Sequence, residues 1–221
     1  MRITVFGAAG AVGSRVVAEA LARGHEVTAV VRDLARAGSV PAGALLRVGD
    51  AARSADVESL SAGQDLVITA TRPAPGSEAE LPAVTEALLA GVARTGVRVL
   101  VVGGAATLRV PGEADLTLHE SPGFPAELAA IARACADQLA LCHAEPVAEW
   151  TYLSPPAQLE PGERTGRYRL GADELLEDAD GVSAISMEDF AVALLDEAEH
   201  PVHRRVRFTV AAPLLAGASA E

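Results

Sequence analysis

Residues 1–21 read MRITVFGAAGAVGSRVVAEAL, and this stretch decides the fold. An apolar run over 2–6 enters a turn punctuated by Gly7, Gly10 and Gly13. Beyond the turn, Val12, Val16, Val17, Ala20 and Leu21 recur at helical spacing until Gly24 stops the helix. A strand, a glycine turn and a helix form the first half of a unit that binds phosphate on backbone N–H groups. The orphan amides and the positive end of the helix dipole face the anion. The spacing G-x-x-G-x-x-G is one residue longer in its first gap than the dinucleotide fingerprint. The chain also carries 20 glycines, so the pattern alone is weak. Context strengthens it, because a second strand, HEVTAVVR, follows over 25–32. In this reading Gly7 permits the sharp turn, Gly10 lets the backbone approach a pyrophosphate, and Gly13 lets the helix pack close to the strand. Ala9, Ala11 and Val12 complete the cradle. The competing reading is a tight strand-to-helix turn that holds no ligand.

The same alternation continues. Strands are expected at 44–48, 65–70, 97–104, 149–156 and 206–210, and helices at 78–95, 124–144 and 186–200. Ser186 is the expected N-cap of the last helix, with Asp189 completing a capping-box variant. Strands alternating with helices require crossover connections. The fold class is therefore α/β, a Rossmann-type doubly wound parallel sheet with helices on both faces. A single domain over 1–221 is expected, with irregular segments 104–125 and 154–183 forming a small substrate-side lobe, or lid. Ligands in such sheets bind outside the carboxyl ends of the strands.

Composition narrows the function. The net charge of −12 argues against nucleic-acid and anionic-membrane partners. No apolar stretch is long enough to cross a bilayer, and the N-terminus lacks signal-peptide features, so a cytoplasmic location is expected. A small molecule is the expected partner, and a homodimer remains open. Cys135 and Cys142 lie on one expected helix, about 10 Å apart along its axis, too far for a disulfide. Both are read as free thiols. No metal-ligand spacing is present. All 18 basic residues are arginine, and the chain contains no lysine.

The end of the second strand chooses the cofactor. An acidic residue there binds the ribose of NAD, whereas arginine accommodates the 2′-phosphate of NADP. The sequence VVRDLAR places Arg32 at the strand end and Arg36 four residues on, so NADP(H) is expected. Asp33 is the competing ribose ligand. Asp50, in RVGD, is read as an adenine-side contact or a simple turn aspartate.

The motifs GAAGAVG, VVRD, VGD, LVVGGA, WTYLSP, PGERTG and ISMEDFAVALLDE together resemble the atypical branch of the short-chain dehydrogenase/reductase superfamily, in its NmrA-like, NAD(P)H-binding group. The chain is similar to the flavin reductase/biliverdin reductase B subgroup, especially in VVRDLAR and the Pro-Pro after strand six. The resemblance implies that Thr71, Arg72, Gly103, Gly104, Ala105 and Ser154 to Ala157, Pro155 included, lie near the ribose and nicotinamide. It departs in one respect. Ordinary members of the superfamily use a Tyr-x-x-x-Lys dyad, which a chain without lysine cannot form. Thr107 stands where related sequences often place a serine.

Hydride delivery needs a held geometry rather than a protein acid when the acceptor delocalises the incoming charge. A simple ketone benefits more from a positioned acid. The missing dyad therefore points to an NADPH-dependent oxidoreductase acting on a conjugated acceptor such as a flavin, quinone or enone. The alternative is a non-catalytic NADP(H) sensor of the NmrA-like kind. Candidate acids are His119, beside Glu120 in TLHESPGF, and Tyr168, in RTGRYRL. An exposed loop histidine and a packing tyrosine are the competing readings. Arg164, Arg167 and Arg169 either bind an acidic substrate or pair with Glu160, Glu163 and Asp173. His200 and His203 read as surface, and Trp150 as core.

Overall fold

The structure is a computed structural model. It describes residues 1–113 and 115–214, apart from the side chain of Arg36. The elements follow in the order β1 (Arg2–Phe6), α1 (Ala11–Ala22), β2 (Glu26–Val31), β3 (Leu45–Val48), α2 (Ser54–Ser61), β4 (Leu66–Thr69), α3 (Leu81–Thr95) and β5 (Val99–Val102). They continue with α4 (Ala129–Ala144), β6 (Trp150–Ser154), β7 (Gln158–Glu160), β8 (Arg169–Gly171), β9 (Ala184–Ser186), α5 (Met187–Glu199) and β10 (Arg207–Ala211).

Eight strands form one sheet in the order β3-β2-β1-β4-β5-β6-β10-β8. All neighbours are parallel except β8, which runs antiparallel to β10 at the edge. The central strands are apolar throughout because helices cover both faces; LVIT of β4 is wholly buried. One face is closed by α1 and α5 around Ile3, Val16, Phe190, Leu194 and Phe208. The other is closed by α2, α3 and α4 around Phe6, Val57, Leu88, Val101 and Trp150. The strand order reverses beside β1, between β2 and β4. A crevice opens there at the carboxyl ends.

The structure departs from the sequence reading in four places. Helix α2 was not expected; it buries only Val57 and Ser61, too short a stripe to read as helical period. The helices expected from 78 and 124 begin with single 3-10 turns, at 78–80 and 126–128, and become α-helical at Leu81 and Ala129. The sheet is not wholly parallel, and β7 and β9 form a separate parallel pair. Segment 154–183 does not act as one lid. Its first residues stay at the crevice, but 162–168 crosses the α1–α5 face. There Arg164 binds Glu19, Thr165 and Gly166 donate to Asp189, and Tyr168 donates to Asp196. The Asp189 carboxylate thus anchors this strap and does not return to Ser186, whose side chain caps α5 by accepting from the Asp189 N–H at 3.0 Å. Among the described residues, no helix is long and apolar enough to cross a membrane.

Candidate active site at the carboxyl ends of the strands

A cavity of about 820 Å³ lies at the carboxyl ends of β1, β2, β4, β5 and β6. Its floor begins at the glycine turn. Gly7 has φ of +78°, and a Cβ on it would lie 2.5 Å from the Ala70 carbonyl oxygen. A Cβ on Gly13 would lie 2.0 Å from the Gly7 carbonyl oxygen, so α1 can sit this close to β1 only with glycine there. Gly10 donates to the Gly7 carbonyl at 2.9 Å and precedes α1 with no side-chain cap. The first backbone bond onto Gly10 comes from Ser14 at 2.9 Å, so the N–H groups of Ala11, Val12 and Gly13 precede the intrahelical ladder. Gly7, Ala9, Gly10, Ala11 and Val12 line the cavity, while Gly13 packs behind them. This uncapped terminus fits a diphosphate.

At the far end of β2, Arg32 is exposed, lines the cavity and makes no ion pair among the described residues. Asp33 is turned away. Its carboxylate accepts from the Ala35 N–H at 2.9 Å and caps the 3-10 turn over 34–39. The side chain of Arg36 lies outside the described residues. Asp50 lines the cavity and also closes its own turn, accepting from the Ala52 N–H at 3.0 Å. Thr71 and Arg72 line the middle; the Thr71 hydroxyl bonds Thr69 at 3.0 Å, and Arg72 makes no ion pair among the described residues.

Gly103, Gly104, Ala105 and Pro155 line the cavity where β5 and β6 end. Ser154 does not: it is fully buried, its hydroxyl has no partner, and its carbonyl accepts from Thr209 at 2.9 Å. The wall opposite is apolar, built from Leu118, Phe124, Leu128, Ile131 and Ala132, with Leu159 and Met187 from the later segments. Leu128, Ile131, Cys135 and Gln138 repeat at three- and four-residue intervals. That helical stripe was available in the sequence as the mark of a cavity-facing side of α4. Burial pushes the Cys135 thiol up to about 11 and the Cys142 thiol up to about 12, so neither is a thiolate near neutrality.

The three residues read as catalytic candidates lie elsewhere. Thr107 does not line the cavity; its hydroxyl and carbonyl accept from Arg207 at 2.8 and 3.0 Å. His119 sits behind Phe124, in a separate shallow pocket with Arg133 and Asp137. Its Nδ1 donates to the Ala106 carbonyl at 3.0 Å. Glu120 is not its partner, because that carboxylate accepts from the N–H and hydroxyl of Thr117, which hold it below the usual carboxylate range. Tyr168 packs against the core beneath α1 and α5 and donates to Asp196 at 2.6 Å. Burial, and then Asp196, raise its phenol well above the ordinary value. None of the three reaches the cavity because each is held by a partner far away in sequence.

The arginine-rich segment also departs from expectation. Arg164 pairs with Glu19 at 2.7 Å, and Arg169 donates to the carbonyls of Ala212 and Glu177. Asp173 pairs with Arg207 at 2.6 Å. His203 is not a plain surface residue: it stacks on Phe208 at 4.1 Å and bonds Glu197 at 2.8 Å.

A reversed strand order, a glycine cradle under the first helix and a crevice along the strand ends define a Rossmann-type dinucleotide-binding protein. The chain belongs to the NAD(P)H-binding family, which matches residues 7–201. This agrees with the NmrA-like group of the atypical short-chain dehydrogenases/reductases. A relative from Bacillus subtilis strain 168, the uncharacterized protein YwnB, is 36% identical over 214 residues, covering 95% of this chain and 98% of that one. A solved structure from Bacteroides thetaiotaomicron, provisionally named an epimerase, shares 38% identity with a TM-score of 0.88 and covers 97% of each chain. Another, from Streptococcus pneumoniae TIGR4, provisionally named an NADH-flavin reductase, shares 32% identity with a TM-score of 0.86. It covers 96% of this chain and 100% of that one.

Proposed function

We propose that this protein is an NADPH-dependent reductase of a small conjugated acceptor. The observation that carries the reading is the acceptor end of the cavity. It is apolar, and Thr107, His119 and Tyr168 all lie outside it. When bound, the reduced dinucleotide supplies the hydride. The chain's part is to hold both planar rings against each other, using Phe124, Leu128, Ile131 and Met187. With no side-chain acid in reach, the acceptor takes its proton from solvent. That suits a ring system that delocalises the incoming charge better than it suits a ketone. The name of the 32% identical streptococcal structure, an NADH-flavin reductase, lends support for a flavin.

NADPH is favoured over NADH because Arg32 faces the cavity with no ion pair among the described residues, while Asp33 caps its own turn. The amides of Ala11 to Gly13 hold the diphosphate, and Thr71, Arg72, Gly104 and Pro155 flank the ribose and nicotinamide. Two free cysteines and the need for a reduced nucleotide pool suit the cytoplasm.

The test is a titration of purified protein with NADPH and NADH, followed by loss of reduced-nicotinamide absorbance with flavins, quinones, enones and ketones. Tighter NADPH binding, with turnover on conjugated acceptors, is expected. Binding without turnover on any acceptor would support the sensor reading, and a preference for NADH would remove the role given to Arg32.

A further inference from the structure

The ladder between β5 and β6 stops one bond short at the cavity wall. The Val99 N–H donates to the Glu149 carbonyl at 2.8 Å, and four residues on, the Gly103 N–H donates to the Leu153 carbonyl at 2.9 Å. In a parallel ladder the next bond would run from the N–H of residue 155 to the Gly103 carbonyl. Residue 155 is proline and has no N–H. Among the described residues nothing donates to that carbonyl.

The same peptide is fixed from below. The Gly104 N–H donates to the Tyr152 hydroxyl at 3.2 Å, and the Tyr152 hydroxyl donates to Gln138 Oε1 at 3.1 Å. Gln138 Nε2 donates to Thr85 at 3.3 Å, and the Thr85 hydroxyl donates to the Leu81 carbonyl at 2.8 Å. Tyr152 is fully buried, and its ring fills the place a Cβ on Gly103 would take, 1.9 Å away. Burial raises its phenol well above the ordinary value, so the relay keeps its protons. No peptide bond is cis, so the Gly103 carbonyl points opposite to the Gly104 N–H, away from Tyr152. Gly103 and Pro155 meet the cavity there.

We infer that the Gly103 carbonyl is a hydrogen-bond-accepting subsite for an N–H donor at the reacting end of the cavity, with Tyr152 and Gln138 as the residues that position it. The inference rests on the reductase reading. The donor is an amide-type N–H. It belongs either to the carboxamide of the nicotinamide ring or to an imide or lactam of a planar acceptor such as an isoalloxazine. The wall cannot act as an oxyanion hole, because its N–H is already bonded and its exposed dipole end is negative.

Two pairs of ligands separate the sources. Dissociation constants are measured for NADP and its 3-acetylpyridine analogue, in which the carboxamide N–H is replaced by methyl. Turnover with NADPH is measured for lumiflavin and N3-methyl-lumiflavin. One member of one pair is expected to lose about tenfold, since a methyl facing the carbonyl leaves it unpaired. Loss on the acetylpyridine analogue assigns the subsite to the cofactor; loss on the methylated flavin assigns it to the acceptor. Pro155→Ala supplies an internal N–H to the carbonyl and should reduce the discrimination to about twofold. Tyr152→Phe frees the peptide and should do the same; Pro155→Ala decides alone if that variant does not fold. Equal behaviour within both pairs overturns the subsite while leaving the reductase. Failure to bind NADPH at all would overturn both.

Discussion

Across the α1–α5 face and the amino edge of the sheet, charges meet partners. The Arg23 guanidinium reaches Glu19 at 2.8 Å and Asp196 and Glu199 at 2.7 Å each, and His25 reaches Glu199 at 2.8 Å. Before β5, Arg98 donates to Thr151 at 2.8 Å, to the His203 carbonyl at 3.0 Å and to the nearly buried Glu197 carboxylate. The carboxyl edge is the opposite. Among the described residues Arg32 and Arg72 face the cavity without an ion pair, α1 begins without a side-chain cap, and the Gly103 carbonyl has no donor. One molecule thus pairs most of its charges at one end and leaves a set of polar groups open around the cavity at the other, although Arg98 Nε and Trp150 Nε1 are also buried without a partner among the described residues. The open groups that converge on the cavity are the ones the proposed dinucleotide would meet.

The contrast can be broken by removing groups from either end. The largest effect is expected from Arg98→Met, which removes the arginine partner of the nearly buried Glu197 carboxylate and leaves it only His203 and the Val202 N–H. Denaturant unfolding should show a loss of about 3–5 kcal/mol, with NADPH affinity per folded molecule unchanged. An affinity change of tenfold or more would mean that the two ends are coupled. Arg32→Ala should do the reverse. Its NADPH dissociation constant should rise ten- to a hundredfold, its NADH constant should hardly move, and its melting temperature should stay constant.

The third effect is in acid. Arg164, before Arg23, holds the Glu19 carboxyl down at about 2 against an ordinary 4.5. The folded state therefore gains stability above the ordinary value and loses it as pH falls from 4.5 toward 2. Arg164 is half-exposed, so the gain is discounted to about 2 kcal/mol. Glu19→Gln should be less stable at neutral pH and should show a flatter stability curve across that window. Parallel curves for the two proteins would remove the pairing. The smallest effect is expected from Tyr168→Phe, about 1 kcal/mol of stability from the lost bond to Asp196, with kcat unchanged. A large fall in kcat would return Tyr168 to the chemistry.

The glycine turn and the central strands were legible in the sequence because their signals are local: a spacing, an apolar run, a strand end. The turn's conformation, for example, depends on Gly7, Gly13 and Ala70, all at the ends of readable strands or the helix between them. What was not legible depends on partners distant along the chain. Arg164 meets Glu19 across 145 residues, and Arg207 meets Thr107 across 100. Neither pairing leaves a trace in composition or period, so Thr107 read as a catalytic candidate, and Arg164 as the partner of a nearer carboxylate or of an acidic substrate, when both are engaged elsewhere. The open Gly103 carbonyl is intermediate. Pro155 was visible, but its effect follows only from the register that sets it opposite Gly103.

The bonds from α1 to α5 have a consequence for how the chain assembles. Arg15 joins Glu188 at 2.5 Å and Arg23 joins Asp196, each closing 173 residues. The helix that opens on the glycine turn is thus clasped by a helix made 173 residues later. A nascent chain holding only the first two strands has the amides but not the packing that steadies them. Contacts this distant are slow to form, so the nucleotide cradle matures only after α5 has been made.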